Sequence, residues 1–442
     1  MYGLTRHELR FAVIVSSAHF SQHVFYRVLP PLIPVMAVAL EYPLWQLGLL
    51  ISLYSIGMGV AQAPLGIVSD RVDRRYMLPA GITLTGISYV LFALAPPLAS
   101  PYGGVELLGH GFEAGFLVMS ASMVGVGLGL SVVHPVGYPL ITDNVRPGKK
   151  GKVLGLFGAM SKVGDGAAPA AIAGLLLVLA WNDIILLFGG MGIVYGVALT
   201  LALSDPRYET VPSGQREAPT DDSSTQSGAR RRTYVYPMLV MYGFFITSML
   251  ATHALNSFFP TFVVDVYGFG FDLFGVTLGP ESVANLYFAA LLLSGAVMQL
   301  ALGALADAVD PRHILIGCMA VATVGMVGLA VLELHPVLLV VVIVVLGLGL
   351  YGVNPARDAM ISDFSPAERE GRTFGYVFTA VTLTGAPLPT LIGYVLDVVG
   401  MRGGYLVLAV GPILAAGCIA LLYSDRVYRP DLTRDSTLGP AD

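Results

Sequence analysis

The chain is 442 residues long, 55% hydrophobic and 12% charged, with a formal net charge of −5 and a mean hydropathy of +0.74. Soluble domains carry about 25% charged residues, so half that value excludes an ordinary soluble enzyme, and the apolar content excludes a disordered chain. The acidic balance lacks the basic footprint of a nucleic-acid binder, and Cys318 and Cys418, both in apolar runs, supply neither a disulfide framework nor a metal site. The composition is that of an integral membrane protein.

A helix needs about 20 mostly apolar residues to cross the hydrocarbon core, and twelve such stretches follow one another. The first six are Phe11–Ala39, Gln46–Val68, Tyr76–Leu94, Gly115–Tyr138, Val153–Leu179 and Ile184–Leu203. The second six are Tyr236–Val264, Val283–Ala306, His313–Leu332, Val337–Met360, Thr373–Val395 and Tyr405–Leu422. A transmembrane barrel would instead show alternating segments of about ten residues, and the first apolar run is too long for a cleaved signal. With the N-terminus inside, the outer loops hold Arg402, Arg27 and Lys162 fall within spans, and the remaining Lys and Arg residues lie inside. That bias puts both termini in the cytoplasm. The excess of Arg over Lys, 20 against 4, suggests a prokaryotic chain and hence its plasma membrane.

Residues 204–235 are rich in Pro, Ser, Thr, Gly and Asp and end in Arg230, Arg231 and Arg232. They read as a disordered cytoplasmic linker between two six-helix bundles, 1–203 and 236–424, with a cytoplasmic tail at 425–442. The bundles repeat. At an offset of 237, Gln62, Leu65, Gly66, Asp70, Val72, Asp73 and Arg75 recur at Gln299, Leu302, Gly303, Asp307, Val309, Asp310 and Arg312. At an offset of 220, Gly127-Leu-Gly-Leu130 recurs at Gly347, and Val133, Pro135, Ile141, Asp143, Gly151, Gly155 and Pro169 recur in turn. The change of offset places a 17-residue insertion near Pro96–Ala114. Equivalent halves of this kind are a transporter architecture.

The Gly66-x-x-x-Asp70-Arg71-x-x-Arg74-Arg75 loop resembles the signature of the major facilitator superfamily, and its weaker copy after the eighth span agrees. The resemblance covers the whole chain and implies an all-α membrane fold of twelve helices in two pseudo-symmetric bundles. A narrower resemblance is to fosmidomycin-resistance-type drug exporters. It rests on Ala18-His19-Phe20, Leu29-Pro30-Pro31-Leu32-Ile33-Pro34, Val133-His134-Pro135, and Gly155-Leu-Phe157 with Gly164 and Pro169. Two departures stand out: Asp73 replaces the usual glycine of the signature, and Ala168 stands where exporters carry the glycine of a Gly-Pro pair. The superfamily resemblance implies that Asp70, Arg71 and Arg74, with Asp307 in the second copy, latch the halves as gating residues.

Ionisable groups at bilayer depth are functional candidates. Arg27 lies roughly 24 Å along its helix from Phe11, and the prolines just beyond it break the helix and free carbonyls, which only a cavity or protein partner tolerates. His19 and His23 share its face, giving a stripe that lines substrate, handles protons or bonds neighbouring helices. Lys162 and Asp165, spaced i, i+3, pair on the fifth span. Either Asp165 takes up a proton and frees Lys162 for an anion, or the pair, with Arg27, is permanent and structural. His134 precedes a proline near the inner end of the fourth span and reads as gating or ligand contact. His253 and Asn256 in the seventh span line a cavity or pack. Gly155, Gly158, Gly164, Gly166, Ala167 and Ala168 read as close-packing residues.

No phosphate loop, zinc motif or dinucleotide fold is present, so neither an enzyme nor a cofactor is expected. The expectation is a monomeric secondary transporter, working by alternating access, that moves a small organic solute, anionic or drug-like, by proton-coupled efflux. An organic-anion importer or facilitator is the alternative, and a non-transporting membrane sensor is the alternative of another class. Protons and the lipid bilayer are the other partners.

Overall fold

The computed structural model describes residues 3–107, 109–211, 228–273, 275–306, 309–364 and 379–424. The first helix, α1 (Arg6–Tyr26), opens on a capping box: Glu8 N–H donates to Thr5 Oγ1 at 3.1 Å and Thr5 N–H donates to Glu8 Oε2 at 2.9 Å. Two otherwise unpaired donors are satisfied together. The helix stops at the proline run, because Pro30, Pro31 and Pro34 have no N–H to return to carbonyls four residues back. A 3₁₀ turn, Pro30–Leu32, leads into α2 (Ile33–Leu40). Carbonyls on either side of the break accept from side chains elsewhere in the fold, which suits a chain in a membrane. Tyr89 Oη donates to Phe25 O at 2.6 Å, and Asn285 Nδ2 donates to Pro31 O at 3.2 Å.

The helices α3 (Leu44–Ser69), α4 (Arg74–Ala99), α5 (Ala114–Leu130), α6 (Val133–Asn144), α7 (Lys150–Leu175) and α8 (Trp181–Leu203) complete the first half. Beyond the linker come α9 (Gly228–Val266), α10 (Pro280–Ala306), α11 (Pro311–Val331), α12 (Pro336–Tyr351) and α13 (Val353–Phe364). Helical residues 379–385, α14 (Leu388–Leu408) and α15 (Val410–Leu421) close the order. Two antiparallel hairpins, β1–β2 (Val105–Leu107, His110–Phe112) and β3–β4 (Phe271–Leu273, Val276–Leu278), were not anticipated. Their signal was local: Gly109 and Gly275 turn at φ +79° and +82°, where glycine carries no steric penalty. The first hairpin occupies the expected insertion.

Among the described residues, ten helical stretches are long and apolar enough to cross a bilayer, which with the fold's helical content is the all-α membrane architecture expected. Two features separate ten from twelve. The expected fifth span, α7, carries Lys150, Lys152, Lys162 and Asp165 and stands apart from the apolar ten. Thr379–Leu421 is one stretch of 43 residues, long enough for two crossings of a core about 30 Å thick, and it breaks at Gly400 (φ 74°). One correction concerns charge. Arg357, counted among the inner residues, lies in α13 within the stretch Pro336–Ile361, beside Asp358. The tenth apolar span, Val337–Met360, already contains it in the sequence.

The chain forms two compact units. One comprises Met1–Arg216, Ser257–Ala289 and Ala386–Asp397; the other comprises Glu217–Asn256, Ala290–Gly385 and Val398–Asp442. In the first unit α4 packs on α5 and α8, α1 on α7, and α3 on α5. The later segments join it through polar contacts. Asp397 accepts the Leu44 and Trp45 N–H groups at 3.0 and 2.9 Å, capping α3, which has no side-chain cap of its own. Thr390 Oγ1 donates to Ser52 Oγ at 2.8 Å. In the second unit α11 packs against α12, α13 and α15.

The segment read as disordered begins as a docked strap. Tyr208, 6% exposed, lies against His7 and Phe11 with ring centroids at 4.7 and 4.9 Å. Asn144 and the Glu209 backbone exchange two hydrogen bonds of 2.8 Å, and Thr210 O accepts Arg74 N–H at 3.0 Å. An aromatic residue among polar ones, with a membrane helix just before it, was the available signal. At the far end α9 begins at Gly228. The residues between, 212–227, and the tail, 425–442, lie outside the described residues.

Candidate functional site

The break in α1 positions the first cation. Arg27 is the C-cap of α1, at φ −100° and ψ 7°, where its N–H returns to His23 O and Val24 O. A cation there sits at the negative end of the helix dipole. The second strand of the site comes from α7, which lies against α1 because Gly164 lets it approach. A Cβ at Gly164 would stand 2.5 Å from Phe20 O and 3.0 Å from His23 Cβ. The neighbouring residue, Asp165, is thereby delivered to the polar face of α1.

Three basic groups converge on that one carboxylate. Arg27 Nε donates to Asp165 Oδ1 at 2.8 Å, His23 Nδ1 lies 3.1 Å from the same oxygen, and Lys162 Nζ lies 3.9 Å from Oδ2. Arg27 and Asp165 are 6% and 5% exposed, whereas the Lys162 and His23 side chains keep 35% and 23% of their surface open. The i, i+3 pair read from sequence is therefore the loosest contact of the three. Arg27 binds the carboxylate most tightly, and its guanidinium lies 5.0 Å over the Tyr26 ring. Tyr26 in turn meets Tyr54 edge-on at 5.1 Å.

A row of imidazoles extends from this centre. His19 stands 4.9 Å from His23 and 5.1 Å from His134, ring to ring, and stacks on Phe157 at 3.9 Å. His19 Nδ1 is 2.7 Å from Phe157 O. A carbonyl and a carboxylate only accept, so the hydrogen lies on Nδ1 in both His19 and His23, and Nε2 is the basic nitrogen of each. With the imidazoles neutral, Arg27, Lys162 and Asp165 sum to one positive charge.

The structure thus brings together six of the residues singled out from sequence: His19, His23, Arg27, His134, Lys162 and Asp165. His253 and Asn256 belong to the other unit. There Asn256 Oδ1 accepts from Tyr351 Oη at 2.6 Å, and Tyr242 Oη lies 2.6 Å from Thr384 Oγ1. Gly385, the repeat counterpart of Asp165, leaves the room that His253 uses, since a Cβ would stand 3.1 Å from its Nε2. The same unit holds Arg357, whose Nη1 donates to Asn354 at 2.7 Å and Nε to Asp358 at 2.8 Å, over the Phe245 ring.

The charged residues of the signature loop make defined local contacts. Arg74 is 2% exposed; its Nη1 binds Asp143 Oδ2 at 2.6 Å, while Asp70, largely exposed, is 3.6 Å from Nη2. Asp70 closes α3 at its C-cap, and Asp73, the departure from the signature, caps α4 by accepting Arg75 N–H at 2.9 Å. Asp310 does the same for Arg312 N–H at 2.9 Å, so a shared cap explains why Asp-x-Arg repeats. Arg71 is exposed, and Asp307 lies outside the described residues. Asp143 was visible as a recurring residue, but nothing marked it as the partner of Arg74. Tyr26, Tyr54 and Tyr89 were missed because aromatic residues in apolar runs read as core. Gly155 and Gly158 are not packing residues: a Cβ at either meets nothing within 4 Å.

Among the described residues no group of His, Cys, Asp and Glu is arranged to hold a metal ion. The sequence profile of the Major Facilitator Superfamily matches residues 15–280 and again 274–441. A hexuronate transporter of Bacillus subtilis is 22% identical over 83% of this chain and 82% of its own length. A probable L-galactonate transporter of Escherichia coli is 26% identical over 34% of this chain, a match that spans only 30% of that protein. The inward-facing, occupied structure of a bacterial homologue of the lysosomal transporter Spinster has the same fold. It aligns with a TM-score of 0.75 at 15% identity, over 99% of this chain and all of that one.

Proposed function

The chain belongs to the Major Facilitator Superfamily, a family of transporters and not of enzymes, and we propose that this integral membrane secondary transporter carries a small organic anion bearing a carboxylate. One observation carries the reading: Arg27, Lys162 and His23 converge on a single carboxylate within 3.9 Å. A surplus of positive charge held at bilayer depth is costly and marks a substrate path. Lys162, with the longest contact and the most open side chain, is the group that turns to an incoming carboxylate. Arg27 stays bound to Asp165 and sets the local potential. That relatives are named for sugar acids agrees with this chemistry.

The direction that follows is uptake. A proton taken up anywhere in the cluster raises its positive charge and favours an anion, so proton and anion load together. Efflux by antiport needs the two to compete. The protein acts as a monomer by alternating access in a prokaryotic plasma membrane, with both termini cytoplasmic. Uptake of labelled D-glucuronate into proteoliposomes, compared with neutral D-glucose, tests the reading. D-Glucuronate is expected to enter, with uptake abolished in Arg27→Gln and at least tenfold weaker in Lys162→Gln, about 1.4 kcal/mol. Equal entry of D-glucose, or unaltered uptake by Arg27→Gln, would contradict it.

A further inference from the structure

We infer that His23, and not Asp165, binds the coupled proton, and that Asp165 serves to position it. The inference rests on the anion-transport reading above and deepens it. Asp165 is a poor carrier for reasons of geometry. Its Oδ1 accepts from both Arg27 Nε and His23 Nδ1, so adding a proton to the carboxylate removes the counter-charge of a guanidinium that is itself 6% exposed. A buried charge stripped of its partner is strongly unfavourable.

His23 has the opposite properties. Its Nδ1–H already points at Asp165, so a proton gained at Nε2 leaves every existing bond in place and turns the contact into an ion pair. Its side chain is 23% exposed, against 8% for Asp165, which gives the proton a way in. The groups that face it are defined on each element. On α1 they are His19 and Tyr26, with ring centroids at 4.9 and 6.4 Å, and Arg27, which shares Asp165. On α7 they are Asp165 and Lys162. On α6 it is His134, whose ring lies 5.1 Å from that of His19. Like charges at these spacings oppose one another, so once His23 is charged, His19 and His134 stay neutral and the row binds one proton at a time. His19 Nε2 is buried with no hydrogen-bond partner among the described residues.

The consequence is a definite sign of coupling. With His23 protonated the cluster carries two positive charges, and by reciprocity the proton raises affinity for the anion as much as the anion raises affinity for the proton.

The test uses the full chain in proteoliposomes and reads two processes with labelled D-glucuronate: exchange at equal pH, and accumulation driven by a pH gradient. In wild type, accumulation alkalinises the outer medium, and the KM rises with pH by up to about tenfold per unit. In His23→Gln, exchange is slowed but persists, accumulation collapses to equilibrium, and the KM no longer follows pH. Gradient-driven accumulation by His23→Gln with the wild-type pH profile overturns the assignment, as does acidification of the medium by wild type. Absence of D-glucuronate exchange in wild type would refute the anion reading instead. In that case NMR of histidine-labelled protein still decides the proton site. An imidazole titration missing from His23→Gln supports it, and one unchanged in that variant overturns it.

Discussion

At the scale of single residues, the buried pair Arg27–Asp165 is the sharpest case. Removing one partner of a buried pair leaves the other uncompensated, so Asp165→Asn is expected to destabilise the protein by about 3–5 kcal/mol. The double variant Arg27→Gln/Asp165→Asn should recover much of that stability while remaining inactive. Thermal unfolding of the detergent-solubilised variants measures both, and additive losses in the double variant would deny the coupling. The polar stripe on α1 was legible because His19, His23 and Arg27 repeat every four residues in an apolar segment. Their true arrangement was not legible. Spacing along α7 pointed to Lys162 as the partner of Asp165, whereas the approach of α1, allowed by Gly164, hands the tightest contact to Arg27.

At the scale of elements, packing separates glycines that look alike in sequence. Gly164→Ala forces α7 away from α1, since a Cβ there meets the Phe20 carbonyl oxygen, while Gly155→Ala meets nothing. Transport is therefore expected to fall steeply in the first and to be retained in the second; equal behaviour would place the helix contact elsewhere. The caps behave as local units. Asp310→Ala should cost about 1 kcal/mol, the usual value of a lost N-cap. Hydrogen bonds from the Arg312 side chain are the main cause holding the Asp310 carboxyl below its ordinary value of 3.8. A depressed value in the folded state means a contribution that is complete above the unfolded value and lost as pH falls through the folded one. The difference in melting temperature between wild type and Asp310→Asn should accordingly shrink below about pH 4, and a difference constant with pH would exclude the ion pair as its source. The strap after α8 is another such unit: Tyr208→Ala should expose the Arg74 backbone contact with Thr210 to proteolysis between residues 204 and 211, read by mass spectrometry of the fragments. Composition hid it, because seven polar or small residues around one tyrosine read as linker.

At the scale of the whole molecule, hydropathy and the repeat conveyed the family architecture well. Periodic apolar stretches survive any uncertainty in helix ends, and Asp73 with Arg75 recurs at Asp310 with Arg312 because both pairs cap a helix. Chemistry did not repeat in the same way: the positions of Lys162 and Asp165 hold Thr382 and Gly385 in the second half. On the proposed function, anion recognition lies on first-half residues, with Lys162 meeting the negative charge and Arg27 setting the local potential. The most direct measurement is calorimetric binding to the purified full chain, with D-glucuronate and D-glucose titrated into wild type and Arg27→Gln. Heat is expected from D-glucuronate alone and is expected to be lost in the variant; binding of D-glucose by wild type, or of D-glucuronate by Arg27→Gln with unchanged affinity, would overturn anion recognition by this cluster.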